Sequence, residues 1–183
     1  QWSTFHPEFA FLPRKFKIAV TGATEDRTAV AFHDIGIRIV RNDAGEVGFQ
    51  VLVGGGMGRT PLIGPVVREF LPKEHLLSYC EAILRVYNLG GDRENKYKAR
   101  IKVQLKTTGL EAFRAAVEEE WLRIRDTAMR LPDHEIERIR AYFAPPAYKP
   151  AAEVAHDWSA EAAGDAAFAR WLRHNTTPHK VAG

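Results

Sequence analysis

The chain has 183 residues, 45% of them hydrophobic, which is enough apolar material for one sizeable core. Its net charge of +3 (26 Lys and Arg against 23 Asp and Glu) is a mild basic excess with no nucleic-acid module around it, so a small-anion site fits better than nucleic-acid binding. No stretch is long and apolar enough to span a membrane, no basic-then-apolar leader is present, and the single cysteine, Cys80, excludes an internal disulfide and fits a reducing cytoplasm.

In chain order, residues 1–15 read as an irregular entry broken by Pro7 and Pro13, with Trp2, Phe5, Phe9 and Phe11 available for packing. Residues 16–21 read as a buried strand closed by Gly22, and residues 26–33 as a short helix. Residues 35–41 alternate Ile35, Ile37 and Ile39 against Gly36, Arg38 and Val40, the pattern of a half-buried strand. Asn42-Asp43-Ala44-Gly45 is turn chemistry, and residues 47–53 supply the returning strand. After Gly54-Gly55-Gly56-Met57-Gly58, helical periodicity takes over. Leu76, Leu77, Cys80, Ile83, Leu84 and Tyr87 share one face of a helix over residues 73–88, ended by Gly90-Gly91.

Residues 97–105 fit both strand alternation and helical spacing. Residues 110–126 form a helix with Leu110, Phe113, Ala116, Val117 and Trp121 inward, and the run Glu118-Glu119-Glu120 reads as a solvated face. Pro132-Asp133 opens another helix carrying Ile136, Ile139, Tyr142 and Phe143. Residues 144–150 (APPAYKP) read as an extended proline-rich linker, and residues 159–174 as a short helical tail with Phe168, Trp171 and Leu172 on one side. The fold class is α+β, a mixed sheet flanked by helices. The domain division is 1–145, then 146–183 as linker, helix and the start of a further half.

Three segments carry chemistry. Leu12-Pro13-Arg14-Lys15-Phe16-Lys17 sets three cations around one aromatic, and strand alternation would project Lys15 and Lys17 together while Phe16 turns to the core. Two adjacent ammonium groups repel unless an anion sits between them, although a basic strand edge is also an ordinary guard against edge pairing. Gly54, Gly55 and Gly56 let backbone N–H groups approach a ligand closely, without the pattern of a phosphate-binding loop or a dinucleotide fingerprint. Arg93 and Asn95, with Lys98 and Arg100 nearby, form a second cationic patch that on residue types alone reads as a solvated face. The seven histidines show no metal-ligand spacing and read as surface or capping residues; Cys80 reads as a small buried hydrophobe, and one thiol cannot hold an iron–sulfur cluster.

Residues 11–22, residues 48–58, residues 92–102 and the closing His179-Lys180-Val181-Ala182-Gly183 together resemble the siroheme-dependent sulfite and nitrite reductases, in family order. The resemblance favours helix for residues 97–105. It implies Lys15 and Lys17 as catalytic cations that clamp the anion and donate protons. It implies Arg14, Gly54, Gly55, Gly56, Arg93 and Asn95 as cofactor-binding residues, and no metal ligand. It also implies siroheme and a 4Fe-4S cluster in the intact enzyme, with further anion-pocket arginines in a missing N-terminal domain and the cluster cysteines in a missing C-terminal domain of the same protein. A ferredoxin or flavoprotein reductase would donate electrons, in the cytoplasm, with no nucleic acid or membrane as partner. Lys at position 17, where relatives resembling nitrite reductases commonly have Asn, favours sulfite over nitrite. A non-enzymatic module binding an anion or cofactor through the same patches is the alternative. The chain, opening without Met, reads as a fragment expected to be inactive and free of siroheme by itself.

Overall fold

The computed structural model describes residues 2–150, 153 and 156–178. The described chain divides into two compact units, Gln1–Ile136 and Glu137–Gly183. In the first, four strands pair in the order β1 (Ile18–Thr21), β2 (Ile35–Arg41), β3 (Val47–Val53) and β4 (Val66–Pro72). β1 and β2 run parallel, with Ile18 opposite Ile35; β2–β3 and β3–β4 are antiparallel, with Ile35 opposite Val53. The mixed, helix-flanked sheet is the α+β architecture expected. β4 was not among the expected strands: its mixed residues Val66-Val67-Arg68-Glu69-Phe70-Leu71 alternate imperfectly, and its pairing with β3 is irregular.

A parallel pair needs a crossover of about a dozen residues. Here residues 22–34 supply it without the expected helix, making only a 3₁₀ turn at Val30–Phe32 with Ala29 at φ 51°. The crossover lies on the face of β2 that carries Gly36, where a Cβ would stand 2.4 Å from the Val30 carbonyl oxygen.

The other face of the sheet carries the core. Ile35, Ile37, Val51, Val53, Val67 and Leu71 pack against α1 (Leu76–Gly90), α2 (Ile101–Thr108) and α3 (Leu110–Ile124). The inward faces of α1 and α3 are the expected ones: Cys80, Ile83, Leu84 and Tyr87 on α1, and Phe113, Val117 and Trp121 on α3, are buried. α2 begins at Ile101, four residues later than the ambiguous stretch, and Tyr97 is exposed. The acidic run on α3 is not a purely solvated face. Glu118 accepts the Tyr79 hydroxyl at 2.8 Å and pairs with Arg68 at 2.7 Å, while Glu120 pairs with Arg85 at 2.9 Å. Nor are all the histidines surface groups, since His6 stacks on Phe9 at 3.8 Å and its ring lies 3.4 Å from the buried Glu81. Of the entry aromatics, Trp2 and Phe9 pack on the core, whereas Phe5 and Phe11 are exposed.

α4 (Asp133–Ala141) has no buried residue, and it ends before Tyr142 and Phe143, which are exposed and lie outside the helix expected to carry them. Residues 144–150 are exposed and form neither helix nor strand. The predicted tail helix is two, α5 (Ser159–Gly164) and α6 (Ala166–Asn175), because the Asp165 side chain accepts the Ala167 and Phe168 amides and starts a new helix. Residues 179–183 lie outside the described residues.

Burial pushes the Cys80 thiol up from 9.0 to about 12. From about pH 9 to pH 12 the unfolded chain has lost this proton and the folded chain keeps it, so folding stability falls as pH rises through that window. Tyr79 and Tyr87, both also shifted upward, contribute slope of the same sign. Denaturant unfolding followed across this pH range is expected to show the decline, and Cys80→Ala to flatten it while leaving the tyrosine component. An unchanged slope in the variant would contradict the assignment.

Candidate functional site

Because β1 and β2 start together and β3 ends beside them, one end of the sheet gathers the residues before β1, before β2 and after β3. Asp34, 2% exposed, sits at that junction. Its Oδ2 accepts the Lys17 backbone N–H at 3.0 Å, and its Oδ1 receives Nε and Nη2 of Arg100 at 3.1 and 2.7 Å. Its backbone carbonyl accepts the Gly54 N–H at 2.9 Å, and the Lys17 carbonyl accepts the Ile35 N–H at 3.1 Å. The lysine run, the glycine loop and the basic segment therefore meet around one carboxylate.

Lys15 and Lys17 are exposed, while Phe16 between them is partly buried, packs on the core and meets Phe9 edge-on at 6.3 Å. The alternation read from the sequence holds although β1 begins only at Ile18. Among the described residues, neither ammonium has a hydrogen bond or ion pair. Two solvated cations thus leave the same short segment without a protein counter-charge.

Gly54, Gly55 and Gly56 are buried. Gly54 adopts φ +87°, and a Cβ there would lie 2.6 Å from the Leu105 side chain. A Cβ on Gly55 would lie 2.2 Å from the Ala31 carbonyl oxygen, and one on Gly56 3.0 Å from the Lys102 side chain. The Gly54 amide is bonded to Asp34 and the Gly56 amide to the Leu62 carbonyl at 2.9 Å. The loop's close approaches are made to its own chain, and the exposed part is residues 57–61. Lys102, 8% exposed, holds that outer part: its Nζ donates to the carbonyls of Thr60 at 2.6 Å and Met57 at 3.3 Å. Burial, and then the nearby Arg100 guanidinium, lower the pKa of this amine.

Arg14 and Arg93 tie the entry segment to the turn after α1. The Arg14 guanidinium donates to the Lys96 carbonyl, and Arg93 Nη2 donates to Asn88 Oδ1 at 2.6 Å and the Phe11 carbonyl at 3.2 Å. Asn95 Oδ1 accepts the Tyr97 amide at 3.0 Å and shapes the turn. The Tyr87 hydroxyl lies 3.0 Å from the Arg14 carbonyl and 2.7 Å from that of Ala99. All three of Arg14, Arg93 and Asn95 are exposed. The structure adds Asp34 and Lys102 to the residues anticipated, and turns Arg100, read only as part of a solvated patch, into the partner of Asp34. A lone acid ahead of a strand, or a cation in a charged run, gives no signal of burial until the sheet closes around it.

An anionic macrocycle fits this donor set: Lys15 and Lys17 stand exposed and, among the described residues, unpaired before β1, while the guanidiniums of Arg14 and Arg93 are exposed although each also donates to a backbone carbonyl. An iron–sulfur cluster does not fit this chain. Its one thiol, Cys80, is in the core, and no group of three or more metal-ligating side chains occurs among the described residues.

Residues 1–124 match the family described as the nitrite and sulphite reductase 4Fe-4S domain. The chain belongs to this family. It is 39% identical over 117 residues to the sulfite reductase [ferredoxin] of Synechococcus elongatus, covering 59% of this chain and 18% of that protein. It is 36% identical over 116 residues to the sulfite reductase [NADPH] hemoprotein beta-component of Shewanella loihica, covering 60% and 20%. The solved structure of the Mycobacterium tuberculosis NirA protein superposes with a TM-score of 0.59 at 31% identity, covering 64% of this chain and 21% of that one. The chain spans about a fifth of the length of these curated relatives. No described helix is long and apolar enough to cross a membrane.

Gly55→Ala is expected to destabilise the fold by about 1–3 kcal/mol, since the new methyl meets backbone oxygens that cannot rotate away. Gly164→Ala, which has open space around it, is expected to change stability by less than about 0.5 kcal/mol. Denaturant midpoints of the two variants check this contrast.

Proposed function

We propose that this chain is the part of a siroheme-dependent sulfite reductase that presents two lysines to the substrate anion, in a cytoplasmic protein whose other domains supply the 4Fe-4S ligands and receive electrons from a ferredoxin or flavoprotein reductase. The observation that carries the reading is the pair Lys15 and Lys17, exposed and uncompensated at the sheet end where the glycine loop and basic segment converge. Membership in the nitrite and sulphite reductase family supports it.

Siroheme, when bound, supplies the electrons to the sulfur or nitrogen centre. The chain's own residues supply position and charge. Lys15 and Lys17 hold the oxyanion by Coulomb attraction and by N–H donation, and each ammonium carries a proton that a departing oxygen needs to leave as water. Arg14 and Arg93 present planar donors suited to macrocycle carboxylates, with Asn95 beside them. The buried glycines 54–56 let the sheet end and the residue 57–61 loop close tightly on each other, so their role toward the cofactor is one of shape.

Sulfite is the favoured substrate over nitrite. It carries more negative charge near neutral pH, and a second fixed cation at about 4 Å is worth on the order of 4 kcal/mol at an effective dielectric near 20. In the full-length protein, Lys17→Asn is expected to lower sulfite kcat/KM about tenfold or more and to lower nitrite kcat/KM less. Steady-state rates on both anions with an artificial electron donor test this. Equal losses on the two anions would favour nitrite reduction, and a full-length protein without siroheme absorption or sulfite turnover would leave a non-enzymatic anion-binding module.

A further inference from the structure

We propose that Asp34 is a positioning residue of the anion site, which aims Lys17 through its peptide N–H, and that Arg100 keeps the Asp34 carboxylate from quenching the lysine it positions; this rests on the reading of Lys17 as an anion ligand. The strand ladder begins at Ile18 opposite Ile35, so the Lys17 N–H has no ladder partner. Asp34 immediately precedes β2, and its side chain supplies the missing acceptor at 3.0 Å, while the Lys17 carbonyl takes the Ile35 amide at 3.1 Å. The Lys17 residue is gripped on both sides of its Cα, so the stem of the ammonium starts from a fixed point. Upstream, the Tyr87 hydroxyl at 3.0 Å from the Arg14 carbonyl steadies the other end of the run.

A carboxylate this close to a lysine would normally turn to its ammonium and cancel the charge an anion needs. Here the second oxygen is occupied. Arg100 Nε and Nη2 both reach Oδ1, and the guanidinium is itself confined, with an added Cβ on Gly56 lying 3.3 Å from each of its terminal nitrogens. Asp34 and Arg100 form a neutral, 2% and 26% exposed pair, and the Lys15 and Lys17 side chains are left facing solvent. A buried acid with one oxygen on a backbone amide and the other on a bidentate arginine combines positioning with insulation.

The arrangement predicts a non-additive result. In the full-length protein, Arg100→Met frees the carboxylate, which is expected to raise the KM for sulfite tenfold or more. Adding Asp34→Asn removes the competing charge while keeping an acceptor for the Lys17 amide, so the double variant is expected to recover most of that loss. Adding Asp34→Ala instead removes the acceptor, and recovery is expected to fail. Hydrogen exchange at the Lys17 amide reads the same bond without the cofactor: slow in the parent and in the Asn double variant, and at least tenfold faster in the Ala double variant. A double Asn variant no better than Arg100→Met alone, or an Ala variant equal to it in both KM and exchange, overturns the proposal. Should Arg100→Met fail to fold with its acid unpaired, the two charge-free double variants still decide the question. If the full-length protein neither binds siroheme nor turns over sulfite, the enzymatic reading falls, while the exchange comparison still judges the Asp34–Lys17 bond.

Discussion

The bond set around the Asp34 carboxylate is the constraint on which the rest of the candidate site depends. A charge with 2% exposure is costly unless every lone pair finds a donor. Here the donors come from three separate stretches: the Lys17 amide and the Arg100 guanidinium at the side chain, and the Gly54 amide at the backbone carbonyl. Satisfying this one acid brings together residues far apart in the chain. Removing the guanidinium would leave a buried charge uncompensated, which typically costs about 3–5 kcal/mol.

Sheet topology makes the convergence possible. In a mixed sheet where β1 and β2 start side by side and β3 returns to the same end, the irregular residues flanking those strands must share a small volume. Glycines relieve the crowding: at Gly36 and Gly55 a methyl would collide with backbone oxygens of the crossover, and at Gly56 it would press on Lys102 and Arg100. The core on the opposite face, where Phe113, Val117 and Trp121 pack across α1, supplies the rigidity against which this end is held. The network Arg68–Glu118–Tyr79 and the stacking of Arg68 over Trp121 at 4.8 Å fasten β4 to the same helices.

Much of this was readable in the sequence where a single period dominated. The alternation of Ile35, Ile37 and Ile39 placed β2 with its observed bounds, and the 3.6-residue spacing of Cys80, Ile83, Leu84 and Tyr87 gave the buried face of α1. The lysine pair was legible because alternation around Phe16 is a local property. The roles of the flanking polar residues were not. Arg93 holds the Phe11 carbonyl of a neighbouring segment, Glu118 serves a buried tyrosine, and the Gly54 and Gly56 amides of the glycine loop are bonded within the protein. Those partners are set by tertiary proximity and leave no local pattern.

The amino-acid order by itself determined the strands β2 and β3, the two long helices, the pair of cations and the one-cysteine limit that excludes cluster ligation, because each follows from neighbours in the chain or from simple presence. Only the tertiary structure decided that Asp34 would be buried, that Arg100 would be its partner and that Lys15 and Lys17 would stand uncompensated. The physical reason is that burial and charge pairing are properties of the assembled surface. A carboxylate, a guanidinium and a peptide N–H separated by 66 and 17 residues become one electrostatic unit only when the sheet brings them within hydrogen-bond distance.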